Sequence, residues 1–362
     1  MEPQAVTETT PPDHCPTTLQ QDVDLGGLNT LAIPARARYL ARVTCVDELQ
    51  ALLQWRRQYE CEQQRELPLL ILGGGSNLVL SSDFPGLVIS MGILGREVLG
   101  EDESSVLLRA GGGENWHQWV QYCVESGYFG LENLGLIPGT VGAAPIQNIG
   151  AYGVELESCF ESLTAVEVSS GRVVTFDGSA CRFGYRDSVF KQELRDQFII
   201  TSVTLRLHRN PDVRADYPAL QQYLSELGAG QPSPQQLFEA VCAIRSSKLP
   251  DPAQVPNAGS FFKNPLVSSE QFEQLREEYT DIVGYPQSGG QVKLAAGWLI
   301  DRAGWKGHSE DGVGVHDKQA LVLVNPGHAS GSRLLQLAQR IRDDIRQRFG
   351  VELEIEPRVY AY

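Results

Sequence analysis

The segment 139–153 reads GTVGAAPIQNIGAYG and carries no charged side chain. The residues just before it, 127–138, contribute only Glu132, in a chain whose charged residues amount to 21 %. A stretch this long without charge, rich in glycine and bearing Gln147, Asn148 and Tyr152, does not suit an ordinary solvated loop. Glycine lets main chain approach a neighbour closely with its N–H groups exposed. The segment therefore reads as backbone laid against a large, flat, partly polar ligand. A second cluster, LGGGSNLVL at 72–80, points the same way. It is not a dinucleotide fingerprint: G-x-G-x-x-G would need glycine at 78, which is leucine, and a helix where the apolar VL follows. A tight turn between strands would explain the triplet alone. Taken with 139–153, a pyrophosphate cradle of backbone amides with Ser76 and Asn77 explains it better, and a cofactor site is the leading idea.

The chain has 362 residues, 42 % of them hydrophobic, enough for two or three domains with their own cores. No apolar run is long enough to span a membrane. Residues 1–23 are polar, acidic and rich in proline and threonine, without the basic start and apolar run of a secretion signal, so a disordered tail is expected. Seven scattered cysteines with no CxxC pair argue against a disulfide framework or zinc site and for a reducing cytoplasm. The six histidines show no metal-ligand spacing. A net charge of −15 makes nucleic acid a poor partner. It leaves room for a small phosphorylated ligand, because a few cations in one cleft act locally while exposed charges are screened beyond about 8 Å.

Along the chain, 24–90 reads as a small α/β unit: a helix at 47–58, the strand LPLLIL at 67–72, the glycine loop, and a return strand at 84–90. A second unit, 91–211, opens with a strand at 106–110. Trp116, Trp119, Val120 and Cys123 then fall at helical spacing and predict one buried stripe. The strands LTAVEV, RVVTF and FIITSVTLRL follow. A third unit, 233–349, starts at a helix signal: Ser233 as N-cap, Pro234 in the first turn and Gln236 closing a capping box. Helices are expected at 268–279, 293–303 and 332–349. The last carries Leu334, Leu337, Ala338, Ile341, Ile345 and Phe349 on one face, with Gly350 closing it. The tail 350–362 alternates like a strand with one buried face.

Three further segments hold chemistry-bearing residues. In NAGSFFKNP at 257–265, small neighbours leave Ser260 accessible and Lys263 and Asn264 add a cation and an amide, although an isolated serine more often serves a turn or cap than catalysis. FGYRDS at 183–188 sets Arg186 between Tyr185 and Asp187, where it could be a structural ion pair. Glu356 lies in the C-terminal segment, where a glutamate is more often exposed than reactive.

LGGGSN, GLENLGLIPGTVGAAPIQNIGAYG, CRFGYRDS, KLPDP, NAGSFFKNP, VKLAAGWLID and LEIEPRV, in this order and spacing, closely resemble the UDP-N-acetylenolpyruvoylglucosamine reductase family over about 25–360. The resemblance implies an α+β fold, with a two-part FAD-binding region of the vanillyl-alcohol oxidase type (24–90 and 91–211) and a C-terminal α/β domain binding the UDP-sugar. Residues 350–362 would carry Glu356 to the active site. It implies FAD contacts at Gly73, Gly74, Gly75, Ser76, Asn77, Pro138, Gly139, Gly142, Ile146, Asn148, Gly150, Ala151 and Tyr152. Many members of the wider fold bind flavin covalently through a histidine near the first glycine loop; here 73–77 hold none, so dissociable FAD is expected. VGYPQSGGQ at 283–291 resembles the tyrosine-bearing substrate loop of the longer family type, with Tyr285 as its contact residue. Tyr217, Lys248, Asn264, Lys306 and Gln319 complete the implied substrate set; without the family, Lys248 and Lys306 could be solvated surface lysines.

The implied reaction is NADPH-dependent reduction of UDP-N-acetylglucosamine enolpyruvate to UDP-N-acetylmuramate for peptidoglycan, by a monomer in which NADPH and substrate use one cleft in turn. Arg186 and Glu356 would hold the substrate carboxylate as charge builds on it, at about 3 kcal/mol each. Glutamate helps only if protonated, which burial beside a carboxylate favours. Ser260 would protonate the resulting carbanion. A flavin oxidase of the same fold would show a different residue set and usually a histidine-linked flavin. A non-catalytic nucleotide-sugar binder would be expected to have lost Arg186, Ser260 or Glu356.

Overall fold

The computed structural model describes residues 18–228, 230–287 and 289–362. Most of the disordered tail expected at 1–23 lies outside them, but its end is ordered. Gln20–Asp24 is an edge strand, antiparallel to Arg36–Val43, with Gln20 opposite Leu40 and Asp24 opposite Arg36. A polar composition is compatible with an edge strand, which is held by main-chain bonds and needs little apolar surface; Val23 alone of this strand packs on a core.

Arg36–Val43, Phe84–Met91 and Leu69–Leu72 continue that sheet in parallel, in this order. The helix Val46–Gln63 crosses over between the first and last of these, burying Leu49, Leu52, Leu53, Trp55 and Tyr59 against Tyr39, Leu67, Leu87 and Ile89. The expected strands at 67–72 and 84–90 are therefore present, with Phe84–Met91 running parallel between its neighbours. The glycine loop 73–77 leaves the carboxyl end of Leu69–Leu72, which is where ligands gather on parallel sheets.

A five-stranded antiparallel sheet follows, in the order Val173–Asp177, Phe160–Glu167, Phe198–His208, Ser105–Gly111, Arg96–Glu101. The helix Trp116–Glu125 buries the four stripe residues Trp116, Trp119, Val120 and Cys123 against it. Asn115 caps this helix with its side chain. Trp116 Nε1 donates to the Leu134 carbonyl at 2.9 Å, fixing the helix to the approach of the charge-free segment.

Ser233 and Gln236 form the capping box and the helix runs Pro234–Lys248, but it packs on the second unit rather than with the C-terminal residues: Phe238 joins the Trp116 core, and Leu237, Val241 and Ile244 meet Leu220 and Leu224. Gly331–Phe349 buries all six residues of its predicted face, and Gly350 closes it at φ +63°. Asn257–Ser260, Val322–Val324, Val313–Val315 and Ser309–Glu310 make a four-stranded sheet under this helix. Leu266–Ser268, Gln291–Leu294 and Gly284–Gln287 make a smaller one. The helix expected at 293–303 begins later, at Ala296, and ends at Arg302. Residues 291–294 are drawn into the small sheet instead, and Asn264 Oδ1 accepts the Ala296 N–H at 3.0 Å, which fixes the helix start.

The C-terminal segment alternates buried Val351 and Leu353 with exposed Glu352 and Glu354, as its pattern suggests. Its strand is only Arg358–Tyr360, and it pairs in parallel with Leu78–Leu80 just beyond the glycine loop. One hydrophobic core accordingly combines Leu31, Leu72, Val79 and Phe84 with Phe261, Leu299, Leu337 and Leu353. The C-terminal part and the first sheet are thus packed as one body.

Candidate active site

The two glycine clusters meet. A Cβ on Gly73 would lie 2.5 Å from Thr140 Oγ1, and one on Gly74 would lie 2.8 Å from Gly139 Cα. Gly75 has φ +63°, and a Cβ there would be 2.1 Å from the Leu28 carbonyl oxygen. Asn77 Nδ2 donates to Gln147 Oε1 at 3.1 Å. In the first instance these glycines make room for each other's loops rather than for a ligand. The joint still leaves main chain and apolar surface uncovered: Gly74 and Pro138 are exposed, and Ile146 is 39 % exposed. A charge-free wall with bare peptide groups and an uncovered isoleucine fits a flat aromatic group carrying a pyrophosphate. Ser76 Oγ lies near Gly139, itself at φ +118°, and Gly142 packs directly on the main chain of Gly112 and Ile200.

Asn148, expected as a cofactor contact, has its side chain engaged in the fold. It is fully buried at φ +43°. Its Nδ2 donates to Glu155, Glu157 and the Gly184 carbonyl, and its Oδ1 accepts the Glu157 N–H at 3.0 Å. All its polar atoms serve the fold, leaving only main chain for a ligand. Gly150–Ala151 pairs with Val154–Glu155 as a two-residue ladder, and Gly150 has no space for a side chain because Arg186 and Glu155 press on it. Tyr152, at φ +50°, packs edge-on against Tyr217 at 5.3 Å between centroids.

Arg186 and Glu356 face each other, Nε to Oε1 3.6 Å, with side chains only 21 % and 14 % exposed. The bland expectation for Glu356, an exposed glutamate, fails because its N–H donates to the Phe261 carbonyl at 2.9 Å and Ile355 bridges Phe262. That pairing folds the C-terminal segment back along 261–263 and brings Glu356 beside the end of the Ser260 strand. Ser260 ends Asn257–Ser260 after a register shift against Val322–Val324, with Gly259 at φ +67°. A bulge of this kind re-aims the side chain that follows it. Glu356 is thus tied by a main-chain bond to the residue after Ser260, and Arg186 meets its carboxylate as an ion pair.

Burial and the surrounding charges act on Glu356 in opposite directions. Burial pushes its carboxyl above the ordinary value, against the opposing pull of Arg186, Lys191 and Lys263. Lys263 is itself paired with Glu354. Three cations had no signal in the sequence. Lys293 lies over the Tyr185 ring at 4.4 Å, with its ammonium held below its usual value by burial and then by Arg186. Arg245 has a buried Nε without a hydrogen-bond partner among the described residues, and burial lowers its pKa too, with Tyr152 and Arg186 among its neighbours. Lys191 donates to the Arg186 carbonyl at 2.8 Å. This gathering of partly desolvated cations near two half-buried carboxyls, Glu155 and Glu356, suits an anionic ligand.

The remaining substrate candidates divide. Tyr217 and Tyr285 come together: burial first, and Tyr285 second, raise the Tyr217 hydroxyl. Tyr285 pairs with Lys293 across the hairpin, so the two share its face. Asn264 bonds the Tyr185 hydroxyl besides capping Ala296, so its amide is largely engaged in the fold. Gln319 sits over Gly297 in the turn before Val322–Val324, the strand paired with Ser260. Lys248 is exposed at its helix end. Lys306 is paired with Asp301 at 2.9 Å, which matches the surface alternative for that residue.

Comparison with known proteins bears on this arrangement. Residues 37–177 match the FAD binding domain family, and 251–360 match the C-terminal domain of UDP-N-acetylenolpyruvoylglucosamine reductase. The chain is 52 % identical to the UDP-N-acetylenolpyruvoylglucosamine reductase of Pseudomonas aeruginosa over 342 residues, which is 94 % of this chain and 99 % of that protein. The chain belongs to the UDP-N-acetylenolpyruvoylglucosamine reductase family. The Burkholderia ambifaria reductase is 51 % identical over 96 % of this chain and 98 % of its own length. The reductase structure from Thermus caldophilus covers 95 % of this chain and all of its own, with TM-score 0.66 at 24 % identity, which supports the fold. The α+β fold with its FAD-binding region, and the assignment as a FAD-dependent oxidoreductase, are borne out. Among the described residues, no helix is long and apolar enough to cross a membrane.

Proposed function

We propose that this enzyme uses NADPH to reduce the enolpyruvyl double bond of UDP-N-acetylglucosamine enolpyruvate, forming UDP-N-acetylmuramate for peptidoglycan in the cytoplasm. The observation that carries the reading is the Arg186–Glu356 pair, desolvated and hydrogen-bonded through Phe261 to the strand that ends in Ser260.

FAD, held without a covalent link by the 73–77 and 138–152 walls, would supply the hydride taken from NADPH. The chain's own residues do the rest. Arg186 presents a planar fork to the substrate carboxylate, which must take up charge as the double bond is reduced. Glu356, whose carboxyl burial raises above its ordinary value, would in its protonated form donate a hydrogen bond to that carboxylate rather than repel it. A preorganised donor of this kind is worth about 3 kcal/mol where water is excluded. Ser260 gives its hydroxyl proton to the carbon beside the carboxylate, completing the addition of a hydride and a proton. Lys293 and Arg245 add positive potential for the diphosphate or carboxylate. Tyr217 and Tyr285 close over the sugar nucleotide.

The test is direct. Purified protein should be yellow, bleach anaerobically with NADPH, and recover its colour when the enolpyruvyl substrate is added. Protein that stays colourless and cannot be reconstituted with FAD, or that is bleached but not reoxidised by this substrate, would overturn the proposal.

A further inference from the structure

The turn that presents Arg186 is built against local preference. Gly184 and Asp187 bond each other's main chain at 3.1 Å in both directions, so Tyr185 and Arg186 are the two turn residues. Arg186 has φ +54°, in the region that favours glycine. A bulky residue stays there only when its surroundings over-determine it. Two contacts hold it from opposite ends. Its guanidinium donates to the Gly150 carbonyl, and its own carbonyl accepts from Lys191 Nζ at 2.8 Å.

Lys191 is itself well anchored. It ends the short 3-10 helix Val189–Lys191, whose Val189 and Phe190 are buried in the second core. Ser188 caps that helix and donates from Oγ to the Ile146 carbonyl at 2.6 Å. The short helix that carries Lys191 is therefore tied to the charge-free segment. Around the ammonium stand Lys263, Asp187, Glu356 and Glu354. Around the Glu356 carboxyl stand Arg186, Lys191, Lys263, Glu354 and Tyr185.

We propose that Lys191 is a positioning residue: its ammonium pins the Arg186 carbonyl, and with it the left-handed turn that aims the guanidinium at Glu356 and the substrate carboxylate. The inference rests on the function proposed above, which gives Arg186 its task. Lysine suits the part because its three donors and point charge can bind a carbonyl from behind the turn while the guanidinium works in front.

The experiment compares full-length, FAD-loaded wild type with Lys191→Met, Lys191→Gln and Lys191→Arg. Lys191→Met should lower kcat by about 10- to 100-fold, the scale of a displacement near 1 Å, while KM for the UDP-sugar changes little. Lys191→Arg, which can still donate to the carbonyl, should recover most of kcat, and Lys191→Gln should fall between. A crystal structure of Lys191→Met should show the Arg186 carbonyl turned and its guanidinium drawn away from Glu356. If Lys191→Met takes up no FAD, Lys191→Gln carries the same comparison. Wild-type kcat in Lys191→Met, equal losses in the Met and Arg variants, or an unmoved guanidinium in the crystal would each overturn the inference. Should wild type fail to turn over this substrate, the function proposed above falls, while the crystallographic comparison still decides the role of Lys191.

Discussion

Gly75 offers the sharpest test of how the glycine joint is built, because two separable costs meet at one atom. Alanine at 75 would have to keep φ at +63°, and its Cβ would sit 2.1 Å from the Leu28 carbonyl oxygen and 2.8 Å from Asn29 Cα, both main-chain atoms. Gly127 has φ +76° with nothing within 4 Å, so Gly127→Ala carries the conformational cost alone. Gly74 has no positive φ, but a Cβ there would be 2.8 Å from Gly139 Cα, so Gly74→Ala carries the steric cost alone. The left-handed conformation costs about 1–2 kcal/mol and overpacking about 1–3 kcal/mol, so Gly75→Ala should lose roughly 2–5 kcal/mol. The order of urea midpoints of the FAD-free proteins checks this, with Gly75→Ala lowest. Repeating the measurement with excess FAD separates stability from binding, since a ligand at 100 times its Kd adds about 2.7 kcal/mol. Gly127→Ala should retain the full increment. Gly74→Ala, which pries the two loops apart, should lose much of it. If Gly75→Ala and Gly127→Ala unfold at the same midpoint, the contact with Leu28 costs nothing and the reasoning about the joint is wrong.

Three further outcomes follow from the cleft. Ser260→Ala should still allow NADPH to reduce the flavin but stall its reoxidation by the enolpyruvyl substrate; an equal loss in both half-reactions would remove Ser260 as the proton donor. Glu356 has a raised pKa, so its neutral form is complete below the ordinary carboxylate value and disappears as pH rises through the raised one. The fall in reoxidation rate as pH rises through that raised value should therefore flatten in Glu356→Gln, which keeps a donor, while Glu356→Ala loses about 100- to 1000-fold. An unchanged fall in Glu356→Gln would assign that titration elsewhere. The same sign applies to stability, which Glu356 diminishes as pH rises across that interval and which Glu356→Gln should no longer lose there. Tyr285→Ala should raise KM for the UDP-sugar by about tenfold, equivalent to about 1.4 kcal/mol; an unaltered KM would place the Tyr285 ring outside the substrate contact.

Features with a local signature were legible in the sequence. The stripe from Trp116 to Cys123 and the long face from Leu334 to Phe349 follow helical spacing, and both faces are buried. The Ser233 capping box is a three-residue pattern and appears as read. Function was legible through seven motifs in register, not through any one of them. What escaped depends on distant pairing. Lys191, Lys293 and Arg245 are ordinary cations in sequence and become unusual only where strands and helices from different parts of the chain converge on Arg186. Asn148 was singled out correctly as a special residue, yet its partners at 155, 157 and 184 give it a structural task. Helical spacing at 293–303 could not register that Leu266 and Tyr285 would take Lys293 as a strand partner.

The pairing of Arg358–Tyr360 with Leu78–Leu80 also has a temporal meaning. Its two partners lie some 280 residues apart, and at about 5–20 residues per second a ribosome needs roughly 15–60 s to make the second after the first. Throughout that interval Leu78–Leu80 lacks its strand partner and the chain has no acid at position 356. A growing chain could thus shape its glycine joint early, yet it would acquire its carboxyl and this partner strand together, in a single late docking event.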